Sequence, residues 1–146
     1  MLFRRAVSAD IPTLIEFRRI LLNRETDRSM DSLFEEYFNT SISNGSLVVW
    51  VADDNGIIVS CVCFCICQLI PRFDSPSGSM AYMANVYTAL DYRRRGIAST
   101  LINRAIDDLK TIGIGKIILN SSDMGKPMYE NLVSQLERVI CPKIFN

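Results

Sequence analysis

Residues 84–109 read ANVYTALDYRRRGIASTLINRAIDDL, and the stretch changes character at its middle. Ala84 to Thr88 reads as the end of a buried strand. From Ile97 onward the spacing is helical. Ile97, Ala98, Leu101, Ile102, Ala105, Ile106 and Leu109 fall on one face, while Ser99, Thr100, Asn103, Arg104, Asp107 and Asp108 fall on the other. That is the pattern of an amphipathic helix laid on a sheet. Between strand and helix stands Arg93-Arg94-Arg95-Gly96-Ile97-Ala98. A chain that turns sharply at Gly96 into a helix leaves the first-turn N–H groups without intrahelical partners, and those groups carry partial positive charge. With three arginines beside them they make a site for a polyphosphate, held by main-chain amides first and guanidinium groups second.

Arg93-x-x-Gly96-x-Ala98 resembles the Gln/Arg-x-x-Gly-x-Gly/Ala pyrophosphate loop of the GNAT superfamily, the acetyl-CoA-dependent N-acetyltransferases. Asn85-Val86-Tyr87-Thr88 fits the strand before that loop, and Tyr92 leads into it. Gly125-Lys126-Pro127-Met128-Tyr129-Glu130-Asn131-Leu132 looks like the family's fourth helix, so the two motif regions span roughly Met80 to Leu132. The resemblance implies one domain over residues 1–146 with an α/β fold. Its central sheet is mixed and mostly antiparallel, has a splayed parallel strand pair, and is flanked by about four helices. Acetyl-CoA is implied as co-substrate, bound by Val86, Tyr87, Thr88, Arg93, Arg94, Arg95, Gly96, Ile97, Ala98 and Ser99. In the resembled family the strand carrying Val86 has a bulge and parts from its parallel neighbour. Main-chain groups near Val86 and Thr88 then pair with the pantetheine amides, and an amide freed by the bulge polarises the thioester carbonyl. The family often has proline where this chain has Leu90.

Composition sets the outer limits. The chain of 146 residues suits a single domain, and 49% hydrophobic residues supply an ordinary core. Sixteen basic and sixteen acidic residues cancel, which removes any overall electrostatic reason to coat nucleic acid or anionic lipid. No apolar run approaches a membrane span, and no signal peptide is evident, so a cytoplasmic location is expected. Cys61, Cys63, Cys65 and Cys67 alternate along an apolar run and would share one face of a strand. Ligands spread along one straight strand diverge by about 6–7 Å per pair of residues and cannot close a tetrahedron alone, and the chain has no histidine. They read as small buried hydrophobes, and no metal is expected. Cys141 carries no signal.

Taken in order, Leu2 to Val7 reads as a strand, and Asp10 with Pro12 opens a helix whose inner face is Ile11, Leu14, Ile15, Arg18, Leu21 and Leu22. A second helix covers about Ser32 to Ser43. In the resembled family this helix pair often lines the acceptor site, which offers Arg24, Asp27, Arg28, Glu35 and Tyr37 as contacts, although such residues are ordinarily solvated. Leu47 to Asp53 and Ile57 to Leu69 are strands joined by the hairpin signal Asp54-Asn55-Gly56. The second of them is apolar enough to be covered on both faces. Arg72, Phe73 and Asp74 lie on the Pro71–Gly78 loop at the edge of the expected cleft. Ser79 to Thr88 and Lys116 to Asn120 are strands whose helical crossover makes them a parallel pair.

The resemblance assigns Tyr129 to protonate the departing CoA sulfur, a task a neutral phenol can perform at pH 7. The residues alone also allow Tyr129 to pack at the rim of the core. Asp74, Glu35, Asp123 and Tyr82 are candidate bases, and none is preferred. After Leu132 the family pattern of Gly-Phe and a two-strand hairpin is missing. Val139 to Phe145 has room for one strand, so the C-terminal hairpin is shortened and the acceptor cleft is expected to be open or completed by a second copy as a homodimer. The expected activity is acetyl transfer from acetyl-CoA to a primary amine, most simply of a small molecule. The competing reading is a non-catalytic CoA-binding sensor or interaction module. Nucleic-acid binding through Arg93 to Arg95 is disfavoured, because no basic stripe with exposed aromatics accompanies them.

Overall fold

A computed structural model describes residues 1–119 and 139–140. Its sheet runs β1 (Leu2–Arg5), β2 (Leu47–Asp54), β3 (Ile57–Gln68), β4 (Ser79–Thr88), β5 (Ile117–Leu119) and β6 (Val139–Ile140), with spatial order the same as chain order. The pairings from β1 to β4 are antiparallel, and β4–β5 and β5–β6 are parallel. Three α-helices are described: α1 (Ile11–Leu21), α2 (Asp31–Asn44) and α3 (Ile97–Thr111). The expected helix around Pro127 to Leu136 lies outside the described residues.

Alternation along β2 and β3 explains why their sequences are so apolar. Val48, Ala52, Val62 and Phe64 face α3, whose Ile97, Leu101, Ile102, Ala105, Ile106 and Leu109 are buried as the helical spacing requires. Val49, Val51, Cys61 and Cys63 face the other way, against Ile11, Leu14, Ile15 and Phe17 of α1 and Phe38 of α2. The cysteine row therefore lies on the α1–α2 side, with Cys61 and Cys63 buried, Cys65 half-buried and Cys67 exposed, all as free thiols. Among the described residues no group of three or more metal-ligating side chains converges. The hairpin signal works through positive φ at Asn55 (52°) and Gly56 (90°).

Several boundaries differ from expectation. The first strand ends at Arg5 because a 3-10 turn, Ser8–Asp10, interrupts the chain before α1. Asp10 does not cap α1 through its side chain. Its carboxylate accepts the Val7 N–H at 2.8 Å and two hydrogen bonds from the Arg4 guanidinium, at 2.7 and 3.0 Å. A second 3-10 turn, Leu90–Tyr92, stands between β4 and the arginine run, so the chain reaches Gly96 in two turns instead of one. Lys116 precedes β5; it is buried and bonds Asp74 at 3.1 Å.

Candidate active site

The site is built around β4 and the loop that follows it. On β3, Cys63 pairs with Asn85 and the next residue, Phe64, pairs with Met83, so Ala84 is an extra residue on β4. This is the expected bulge. A bulge bends its strand, and this one follows directly on Ala81, Tyr82 and Met83, the residues of β4 that pair with β5 among the described residues. Beyond the bulge, β4 has no described partner on that edge.

The antiparallel ladder tells which main-chain groups this leaves available. The Ala89 N–H donates to Val59 at 2.8 Å, so by alternation Tyr87 and Asn85 turn their main-chain groups toward β3. Those of Val86 and Thr88 turn to the edge away from β3. The Thr88 carbonyl there accepts from Arg93 Nε at 2.8 Å. The Val86 N–H and C=O and the Thr88 N–H have no partner among the described residues.

At the loop, Gly96 occupies the N-cap of α3 with φ 74°, and no side chain caps the helix. The Thr100 N–H closes the first turn onto the Gly96 carbonyl at 3.0 Å. The N–H groups of Ile97, Ala98 and Ser99 are left without partners among the described residues, at the positive end of a fifteen-residue helix. A Cβ built on Gly96 meets nothing within 4 Å among the described residues. Arg93, Arg94, Arg95 and Gly96 are all exposed.

The three arginines are not equivalent. Arg93 braces the loop: besides its bond to Thr88, its guanidinium lies 5.8 Å from the centre of the Tyr87 ring. Arg95 lies 5.2 Å from the Tyr92 ring. The Tyr92 hydroxyl donates to Asp54 at 2.7 Å, which ties the loop to the β2–β3 turn, and that bond raises the phenol's pKa so that it stays a donor. Arg94 holds a left-handed φ of 63°, unusual for a residue with a Cβ. None of these distinctions is visible in the string Arg-Arg-Arg.

The acceptor candidates divide. Arg24, Asp27, Arg28, Glu35 and Tyr37 are all exposed. Arg24 and Asp27 line a cavity of about 240 Å³ with Arg19, Met30 and Phe34, and Asp27 accepts the Ser29 N–H at 3.0 Å. Partial burial of the Tyr37 ring against α2 and β3, with help from a 3.5 Å contact to Cys65, pushes its phenol up to about 12. Phe73 is fully exposed, and Arg72 pairs with Asp74 at 3.1 Å. Asp74 is a counterion for Lys116 first and Arg72 second, and together they hold its carboxyl below the usual range, which makes it a poor base. Tyr82 is half-buried on β4, beside the bulge. Tyr129 and Asp123 lie outside the described residues.

Sequence reasoning missed one contact that matters. Arg18, expected on the inner face of α1, reaches β4 and donates to Asn85 Oδ1 at 2.7 Å, one residue past the bulge. Phe17 stacks beside it on Tyr87, with ring centroids 4.3 Å apart. The charge of Arg18 also tempers the upward push that the Cys61 thiol and burial give Cys63.

A mixed sheet with a bulged β4 paired in parallel to β5, and an uncapped helix N-terminus following it, defines the class of fold. A family model described as Acetyltransferase (GNAT) family matches residues 14–132, and the chain belongs to that family. It is an acetyltransferase. It is similar to a predicted acetyltransferase from Clostridium acetobutylicum, solved with acetyl-CoA, at 26% identity and TM-score 0.85 over 99% of this chain and 94% of that one. A GCN5-related N-acetyltransferase from Ralstonia eutropha shares the fold at 20% identity and TM-score 0.82, covering 99% and 95% of the two chains. So does glucosamine-6-phosphate N-acetyltransferase from Arabidopsis thaliana, at 21% identity and TM-score 0.71, covering 99% and 98%. No curated protein matches the sequence. No described helix is long and apolar enough to cross a membrane.

Proposed function

We propose that this chain transfers the acetyl group of acetyl-CoA to a primary amine of a small molecule, by direct attack in a ternary complex. The observation that carries the proposal is a juxtaposition. The unpartnered N–H groups of Ile97, Ala98 and Ser99 and the outward main-chain groups of Val86 and Thr88 lie on either side of one short loop. The first set suits a diphosphate, with Arg94 and Arg95 adding charge and Gly96 leaving room. The second suits the two amides of pantetheine, which would add to β4 as a strand does.

The thioester would then lie at the bulge, where a main-chain N–H near Ala84 polarises its carbonyl and steadies the oxyanion. Tyr129 supplies the proton that the leaving thiolate needs. Asp74 is held as a counterion by Lys116 and Arg72, no base is assigned, and the amine is taken to lose its proton to water.

Thiol release from acetyl-CoA across a panel of polyamines, amino acids, amino sugars and N-terminal peptides tests this reading. Acetyl transfer to at least one small amine is expected. The Tyr129→Phe enzyme should lose about 10²- to 10⁴-fold in kcat while keeping its affinity for acetyl-CoA. Tight acetyl-CoA binding with no transfer to any amine would favour a non-catalytic module instead.

A further inference from the structure

Four cationic side chains among the described residues are not exposed: Arg4, Arg18, Arg19 and Lys116. Three of them have carboxylates. Arg4 pairs with Asp10 and Asp53, Arg19 with Asp31, and Lys116 with Asp74. Arg18 has only the neutral amide oxygen of Asn85, at 2.7 Å, among the described residues. Arg18 is half-buried. Taking even part of a guanidinium out of water without an opposite charge is unfavourable, and an anion arriving from outside would offset that cost.

The place is specific. Asn85 is buried, and it directly follows Ala84, the bulged residue beside which the thioester carbonyl is proposed to lie. Its amide fixes the guanidinium through one of five N–H donors, and the others remain for a planar oxyanion, which arginine can grip with two parallel bonds. Phe17 and Tyr87 stack next to this pair and give it a rigid apolar flank.

We infer that Arg18 binds an anionic group on the acceptor, so that the amines acetylated here carry a carboxylate or phosphate close to the reacting nitrogen. The inference rests on the acetyl-transfer reading above and adds the acceptor's charge to it.

Matched acceptors test it: α-amino acids against their amides, and amino-sugar phosphates against the parent amino sugars. Each is assayed by thiol release with wild type, Arg18→Gln and Arg18→Lys, and acetyl-CoA affinity is measured separately by calorimetry. In one pair or the other, wild type should prefer the anionic member by about 10- to 100-fold in kcat/KM. The pair that shows this separates carboxylate from phosphate. Arg18→Gln should bring the preference close to one, mainly through KM, Arg18→Lys should keep part of it, and neither should change the acetyl-CoA Kd. Indifference of the wild type in both pairs, or a preference that survives in Arg18→Gln, overturns the inference. If acetyl-CoA binds and only neutral amines react, the inference falls alone. If no amine reacts, the acetyl-transfer reading falls with it.

Discussion

Gly96 and Arg94 both have left-handed backbone, at φ 74° and 63°, but the sequence explains only one of them. Glycine takes this conformation freely, whereas a residue with a Cβ pays about 1–2 kcal/mol for it. A Cβ at Gly96 would meet nothing within 4 Å among the described residues. Aspartate tolerates left-handed backbone better than most residues, so Gly96→Asp should fold. It should nevertheless weaken acetyl-CoA binding by about 10- to 100-fold, by setting like charge against the diphosphate. Arg94→Gly makes the complementary case. Its stability should stay within about 1 kcal/mol of wild type, because relief of strain is offset by a freer unfolded chain. Its acetyl-CoA affinity should fall by up to about fivefold, the scale of an exposed ion pair. Calorimetric titration and urea unfolding of both variants check these outcomes. The motif made Gly96 and the arginines readable as a group. It could not show that Arg93 turns back to the Thr88 carbonyl or that Arg18 meets Asn85, since both contacts depend on where tertiary packing aims a long side chain.

At the scale of elements, α3 is the clearest case of a pattern that survives folding. Its six buried positions all belong to the face read from spacing, and Leu101 is fully buried against the sheet. Leu101→Ala should therefore lower unfolding free energy by about 2–5 kcal/mol, while Asn103→Ala, on the exposed face, should change it by less than about 0.5 kcal/mol. Denaturant midpoints of the two variants decide the matter. β4 was legible end to end, Ser79–Thr88, set off at its start by the Pro-, Ser- and Gly-rich loop that ends at Gly78. The two 3-10 turns were not. Each is three residues long and has no period of its own to detect, and the Asp10 carboxylate that shortens β1 does so by hydrogen-bonding across the turn.

For the molecule as a whole, order and direction from β2 to β5 follow from two antiparallel connections and one helical crossover, which leave local signals. Which charges end up buried leaves none. Asp10 illustrates the consequence for stability. Burial works against its charge, but hydrogen bonds from Arg4 and the Val7 N–H prevail and its pKa is lowered. A lowered carboxylate contributes stability that is present above its unfolded value, about 3.9, and is lost as pH falls through the folded value. The wild-type melting temperature should therefore fall steeply below about pH 4. Asp10→Asn should be less stable at pH 7 by about 2–3 kcal/mol and should show a shallower acid decline. An equal acid slope in the two proteins would contradict that assignment. The central claim is that the start of α3 and the edge of β4 away from β3 together hold acetyl-CoA, and a crystal structure of the complex tests it most directly. The account predicts the diphosphate within hydrogen-bond distance of the Ile97, Ala98 and Ser99 N–H groups, with pantetheine paired to Val86 and Thr88. A cofactor seated elsewhere, or a diphosphate held by arginine side chains alone with those amides facing solvent, would contradict it.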